Sequence, residues 1–170
     1  MARSVTSGKP ISPKQVVQQW RHLPHKFQLN LWNFEIKVGR EAVSIFRDSF
    51  NMKRFNSSGS EPWTPRSSKS RETHPLMVQS HSLVNSIKWK HMGQKGSPEG
   101  VTIFTDPNGF GGAFRHSGFC YAAVHNSPDS LHMRTGSVAN MPQRQFMGHS
   151  TVLDSKLKEL TGIIFQGFPK

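Results

Sequence analysis

The chain has 170 residues, enough for one domain with a core of its own, but only 34% of them are apolar. With 14 glycines and 11 prolines, we expect a small core beside long polar segments. Lysines and arginines number 22 against 10 acids, a net charge of +12 that favours nucleic acid, an acidic membrane surface or an acidic protein as partner.

Several classes of protein are excluded or disfavoured at this level. The single cysteine, Cys120, forms no internal disulfide and supplies no multi-cysteine zinc site. The amino terminus lacks the apolar core of a secretory signal, and no apolar run approaches the roughly 20 residues that span a bilayer. We therefore expect a protein made and used in the cytoplasm or packaged into a particle.

Residues 1–28 are predicted to form a basic arm. They hold five basic and no acidic side chains, and we expect their prolines to interrupt regular structure. Ser12 and Pro13 suit the N-cap and first turn of a short helix that places Val16, Val17 and Trp20 on one face. The segment is either a docking arm or the first helix of the domain, because the Trp20 side chain needs a place to bury.

Residues 29–170 are predicted to form a single domain, which begins with its clearest regular element. Two adjacent stripes of apolar and small residues recur at spacings of three and four, which predicts a long amphipathic helix. One stripe is Leu31, Phe34, Val38, Ala42, Ile45, Ser49 and Met52, and the other is Trp32, Ile36, Gly39, Val43, Phe46 and Phe50. So broad a face must lie against a sheet or another subunit.

Residues 53–75 are polar and basic and are predicted to form a long loop, with Trp63 as its anchor. Loops of this length are uncommon in compact domains and are usually functional or disordered. We interpret this one as an excursion towards another subunit or towards DNA. Its candidate interface or DNA-facing residues are Lys53, Arg54, Trp63, Arg66, Lys69 and Arg71.

The second half of the chain predicts a small sheet followed by a helix. A short helix is expected over residues 76–82, and strands are expected at 83–91, 101–105 and 119–124. The fold class is therefore α+β: a long amphipathic helix packed on a small antiparallel sheet of about three to four strands, with long loops. A capping-box-like start at residues 151–154 predicts a C-terminal helix.

No pattern typical of a catalytic, cofactor or metal site is found. The nine histidines show no HExxH or CxxC spacing, and the acids show no pairing suited to acid–base catalysis. On a strand, Cys120 and His125 would lie on opposite faces and could not form a nucleophile pair. We therefore expect no enzyme activity, no cofactor and no metal. Basic residues interleaved with Phe55, Trp63 and Trp89 could instead bind single-stranded nucleic acid, or simply form a solvated positive face.

Four short motifs follow one another along residues 29–165. Gly59-Ser60-Glu61-Pro62-Trp63-Thr64-Pro65 is similar to a Gly-x-x-Trp-x-Pro loop with one extra residue, and residues 77–87 are similar to Leu-x-x-x-Gly-x-Leu-x-x-Ser-Ile, with His81 in place of the glycine. Residues 121–126 match Tyr-Ala-x-x-His-Asn, and residues 142–148 match Pro-x-Arg-x-Phe-x-Gly. In this order the motifs resemble the Mu-like phage virion morphogenesis (tail completion) family.

The resemblance implies a bacteriophage structural protein of the neck or tail top, acting in virion assembly as a tail-completion, tail-terminator or head–tail connector component. It implies an oligomeric ring around the DNA channel, a hexamer or a dodecamer, made in the bacterial cytoplasm and retained in the virion neck or tail. The implied partners are further copies of the chain, other neck, portal-proximal or tail proteins, and packaged DNA nearby, with no membrane.

The family-motif positions are Tyr121, His125, Pro142, Arg144 and Phe146. From the residues alone, Tyr121 and Phe146 are expected in the core, and Pro142 and Arg144 are expected to fix the path into the last helix. The alternative function is that of a basic nucleic-acid-binding protein without enzymatic activity.

Overall fold

The computed structural model describes residues 13–66, 73, 75–78, 81–106, 108, 121–126 and 142–168. The elements are α1 (Pro13–Met52), α2 (Ser82–Ser86), β1 (Ile87–His91), β2 (Val101–Thr105), α3 (Tyr121–Asn126) and α4 (Thr151–Leu160), with a 3-10 turn at Thr161–Ile163. The fold class is α+β, as predicted, with a long helix on a small antiparallel sheet and a C-terminal helix. None of the helices in the described part of the chain has the length and apolar character needed to cross a bilayer.

Helix α1 is longer than the sequence predicted. It runs for 40 residues without interruption, about 60 Å at 1.5 Å per residue. The expected break at Pro24 is wrong, because that proline lies inside the helix. Proline leaves the carbonyl four residues earlier, at Trp20, without its helical partner. Arg21 and His25 beside it are exposed, so water can solvate that carbonyl.

The described part of the sheet has two strands rather than three or four. β1 and β2 pair antiparallel, with Trp89 opposite Ile103 at the centre. The third predicted strand, at residues 119–124, is wrong where the chain is described, because Tyr121–Asn126 is helical. Two adjacent alanines there favour a helix, and the argument about strand faces at His125 no longer applies.

Other boundaries also moved. The helix expected at residues 76–82 is wrong: Leu76 and Met77 form a turn, and α2 begins only at Ser82. The strand expected from residue 83 begins at Ile87. Helix α4 is capped one residue earlier than expected, since the Ser150 hydroxyl accepts a hydrogen bond from the Leu153 N–H at 3.2 Å.

Helix α1 packs across one face of the hairpin. At Gly39 a Cβ atom would lie 2.3 Å from Cδ2 of Trp89, so the absence of a side chain lets the indole lie against the helix. About two turns towards the amino terminus, the Trp32 ring stacks on His91 with ring centres 3.6 Å apart. These contacts fix the sheet on the middle third of α1.

The C-terminal segment packs on α1 farther towards its amino terminus. The amide of Asn30 donates to the carbonyls of Ile164 at 2.9 Å and Gln166 at 3.1 Å. The Phe27 ring lies 6.4 Å from Phe165 and 6.3 Å from Phe168, centre to centre. The residues of α1 before this contact are mostly exposed.

Candidate assembly site

The third and fourth sequence motifs are joined by backbone hydrogen bonds. Helix α3 presents the Asn126 carboxamide, whose Oδ1 accepts from the N–H groups of Phe146 at 3.0 Å and Met147 at 2.7 Å. One residue earlier, the His125 carbonyl accepts from the Arg144 N–H at 2.7 Å. The extended segment 142–148 is therefore held in place by the end of α3.

The first motif packs on the same segment. The Trp63 indole is buried and donates from Nε1 to the Gln145 carbonyl at 2.8 Å. In the opposite direction, the Arg144 guanidinium donates from Nε to the Thr64 carbonyl at 3.1 Å. The Trp63 ring meets Phe50 of α1 edge to face at 5.5 Å. Trp63 therefore anchors the loop, as predicted, with its ring turned into the core.

Phe146 lies at the centre of this arrangement. Its side chain is fully buried, and its ring centre is 5.2 Å from that of Phe50. Its carbonyl accepts a hydrogen bond of 3.4 Å from the Ser49 hydroxyl of α1. The fourth motif is thus tied by its backbone and by its side chain to the long helix.

The second motif completes the cluster through its apolar residues. Met77, Leu83 and Ile87 are buried and belong to the same hydrophobic core as Trp63 and Phe146. All four motifs therefore meet in one place, which we call the motif junction: residues 62–66, 76–78, 81–87, 121–126 and 142–148 packed on the second half of α1. The sequence contains the motifs in this order, and the structure shows the contacts between them.

The backbone of the second motif is unusual at His81. This residue has φ 58° and ψ 0°, the left-handed conformation that glycine adopts readily and that other residues avoid. His81 is exposed, and its carbonyl accepts from the Asn85 N–H at 2.9 Å. The geometry therefore suits glycine at the position where the resembling family usually carries one.

Only part of the basic loop is available to contact a partner. Its first part is tied down: the Asn56 amide donates to the Ile45 carbonyl at 3.2 Å, and the Ser58 N–H donates to the Thr151 hydroxyl at 2.9 Å. Lys53 and Arg54 are exposed, as a partner-facing role requires. Lys69 and Arg71 lie outside the described residues.

The remaining candidate residues divide by burial. Arg66 is half-buried and donates to the Pro75 carbonyl at 3.0 Å. His125 and Arg144 are buried. Like Trp63, they therefore contribute to packing inside the protein rather than to an exposed surface. Pro142 is half-buried, and the side chain of Tyr121 is not described.

A groove runs beside the motif junction, between the end of α1 and the loop. It encloses about 800 Å³, and the residues that line it are mainly apolar or proline. Among the described residues that line it, the charged side chains are Lys53 and Arg66, and no acid is present. The groove therefore suits an apolar segment that carries negative charge.

A second groove, of about 620 Å³, lies between α1 and β1. Its charged residues are Arg40, Arg47, Asp48 and Lys88. Arg47 also connects α1 to α2 and β1, because its guanidinium donates to the carbonyls of Val84 at 3.2 Å and Ile87 at 3.0 Å. On the hairpin, the Lys88 ammonium contacts Asp106 at 2.6 Å and lowers the pKa of that carboxyl group below its usual value.

Sequence reasoning missed one polar cluster. The buried Glu35 carboxylate contacts His91 Nδ1 at 2.8 Å and accepts from the Gly100 N–H at 2.6 Å. It joins α1 to both ends of the hairpin turn, and no sequence motif relates residues so far apart. Within the described ranges, no group of three or more histidine, cysteine or acidic side chains is arranged to hold a metal ion.

Comparison of this chain with protein-family models, with curated proteins and with solved structures finds no match.

Proposed function

We propose that this chain is a bacteriophage virion structural protein of the neck or tail top, without enzymatic activity, that forms an oligomeric ring around the DNA channel. The observation that carries the proposal is the motif junction. Four short motifs, separated by up to about 80 residues of chain, pack into one cluster around Phe146.

The backbone at His81 supports the same proposal independently. The family pattern has a glycine there, and glycine is the residue that a positive φ favours. This chain keeps the φ of 58° although it carries a histidine. The resemblance therefore extends from residue types to a local backbone requirement.

The chemistry of the junction is that of a scaffold. Its polar side chains are engaged with backbone groups: Trp63 with Gln145, Arg144 with Thr64, and Asn126 with Phe146 and Met147. Such contacts fix loops relative to a helix. Surfaces suited to neighbouring subunits are the exposed Lys53 and Arg54 of the basic loop and the two grooves beside α1, which the junction helps to line.

The alternative, a nucleic-acid-binding protein that acts alone, is less well supported. Binding of single strands by stacking requires exposed aromatic faces. Of the three aromatic residues predicted to stack, Phe55 and Trp63 are buried, and Trp89 is half-buried against Gly39. The most exposed aromatic rings of the described residues are those of Trp20 and Phe165. The net charge remains compatible with DNA nearby, which the ring proposal already includes.

The peptide inventory of purified particles tests the proposal directly. The particles are those assembled in bacteria that carry the phage genome encoding this chain. We expect its peptides at a constant, small copy number per particle. Particles of full infectivity that lack the chain would contradict a retained neck or tail component.

A further inference from the structure

We infer that the amino-terminal part of α1, residues 13–27, docks into an apolar groove with an acidic rim on a different protein. This inference goes beyond the proposed ring and does not depend on it. The segment is called the α1 arm below. It carries the most conspicuous exposed apolar surface of the described chain, on a regular helix whose geometry is already formed.

The apolar part of the arm is a continuous stripe. Val17, Trp20, Pro24 and Phe27 follow one another at spacings of three, four and three, which places them on one face of the helix. Trp20 is 64% exposed, Val17 52% and Phe27 36%. Tryptophan is enriched among the residues that supply most of the binding energy at protein interfaces, and a contiguous exposed apolar patch marks an interaction site.

The same stripe is the core face of α1 farther along. It continues through half-buried Leu31 and Phe34 to Ala42, which is fully buried beneath the motif junction. The surroundings of this face therefore differ between the two halves of the helix. Its second half is covered by the rest of the chain, whereas Val17 and Trp20 in its first half are exposed.

The charge around the stripe identifies the chemistry of the partner. No acidic residue occurs in the chain before Glu35. Lys14, Val17, Gln18 and Arg21 line a shallow depression on the arm, so exposed cations stand directly beside exposed apolar side chains. Arg21 lies about 100° around the helix from Trp20, at the edge of the stripe. A partner that covers Trp20 therefore needs carboxylates at the rim of its groove.

A second copy of this chain is disfavoured as the occupant. Two copies packed stripe to stripe would bring together two sets of Lys14 and Arg21, and juxtaposed like charges oppose association at that contact. For a negatively charged protein, the same Lys14 and Arg21 would make association more favourable.

Nucleic acid and lipid also fit less well. A single strand is held by bases that stack on successive aromatic side chains, and the stripe has only two aromatic residues, Trp20 and Phe27. Phe27 is already in contact with Phe165 and Phe168. Val17 and Trp20 alone bury too little apolar area for stable insertion in a bilayer, which requires a longer apolar face.

The test places a benzophenone-bearing amino acid at Trp20 of the full chain, expressed together with the complete set of genes that normally accompanies it. The matched control carries the same group at His22, which is also exposed and lies about 160° around the helix from Trp20. After irradiation, mass spectrometry identifies the joined peptide. We expect a single non-self protein at position 20, with aspartate or glutamate next to the joined residue, and little or no such product at position 22.

The identified protein is then purified and its affinity for the unmodified chain is measured. We expect Trp20→Ser and Arg21→Glu each to weaken binding on the order of tenfold or more. Lys95→Glu, which makes the same charge change on the exposed hairpin turn, should leave the affinity within about twofold.

Each other outcome overturns the inference. A product with the chain itself would assign the arm to self-association, and products with lipid or nucleic acid would assign it to those surfaces. No product at position 20, or an affinity indifferent to Arg21→Glu, would also contradict it. The oligomeric mass of the Trp20→Ser variant separates this result from the ring proposal, because we expect it to equal that of the unmodified chain.

Discussion

At the scale of single residues, the motif junction depends on backbone conformations that its side chains do not favour. Lys53, Met77 and His81 all have positive φ, between 54° and 60°. For residues other than glycine, this conformation costs roughly 1–2 kcal/mol. Two of these residues belong to the second motif and the third ends α1. The strain is therefore concentrated where the chain turns back onto the long helix.

Replacing His81 with glycine should stabilise the protein. Relief of the left-handed strain exceeds the added freedom of glycine in the unfolded chain, so we expect the free energy of unfolding to rise by about 0.5–1 kcal/mol. His81→Ala keeps the strain and should give no such gain. Urea denaturation of the two variants checks this. Equal stabilities for glycine and alanine at position 81 would show that the φ at this position carries no cost.

Replacing Gly39 with alanine should have the opposite effect. Its Cβ would lie 2.3 Å from Trp89, and overpacking of this kind costs about 1–3 kcal/mol, more than the ~1 kcal/mol that alanine gains in a helix. Thermal unfolding measures the loss. Trp89→Leu should recover part of it in the double variant, and Gly162→Ala, where no atom lies within 4 Å of the new Cβ, should be nearly neutral. Strictly additive effects at Gly39 and Trp89 would contradict the contact.

At the scale of elements, the sequence predicted periodic structure well and contacts poorly. Spacings of three and four predicted α1 from residue 31 to Met52, and β-branched residues predicted β2, since both patterns are local. Pro24 misled the prediction because an exposed helix tolerates a missing hydrogen bond. The helix at Tyr121–Asn126 was missed because a short apolar run does not distinguish a strand from a helix.

In the candidate site, too, local features were predicted from the sequence and long-range contacts were not. The sequence predicted the motifs themselves and the role of Trp63 as an anchor. It did not predict that Asn126 would hold the backbone of Phe146 and Met147, because those residues are about 20 positions apart. The Glu35–His91 contact spans 56 positions and has no local signature. Long-range polar contacts of this kind arise from the fold as a whole.

The joint between α3 and the segment 142–148 gives a prediction at this scale. Asn126→Ala removes one acceptor from two backbone N–H groups, and we expect a loss of about 1–3 kcal/mol in the free energy of unfolding. Asn126→Asp keeps the oxygen acceptor and should retain most of the stability at neutral pH. Denaturant unfolding compares the two. If aspartate and alanine were equally destabilising, the hydrogen bonds would not be the reason for asparagine at this position.

The basic loop gives a second prediction at the scale of elements. Reversal of charge at Lys53, Arg54, Arg66, Lys69 and Arg71 should impair particle assembly or DNA retention while unfolding stays cooperative, because Lys53 and Arg54 are exposed. Particle yield and calorimetry are the measurements. A version that keeps Arg66 avoids disturbing its bond to Pro75, and reversal at Lys37, Lys95 and Lys158, which are also exposed, is the control. Loss of cooperative unfolding would show that the loop is structural.

At the scale of the whole molecule, the chain has a compact centre with basic surfaces around it. The motif junction covers the second half of α1, the hairpin lies on its middle third, and the C-terminal segment packs farther towards the amino terminus, at Phe27 and Asn30. The α1 arm, the basic loop and the two grooves remain on the outside. Among the described residues, twelve buried apolar side chains form the core that holds these parts together.

The mass of the purified full chain in solution tests the central claim most directly. Light scattering or native mass spectrometry at moderate salt should give one discrete species, as a closed ring requires, with the six or twelve copies that the resemblance implies. Duplex DNA should not be needed for that species to form. A monomer at every concentration, binding DNA with an affinity that falls steeply as salt rises, would contradict the ring and favour a nucleic-acid-binding protein that acts alone.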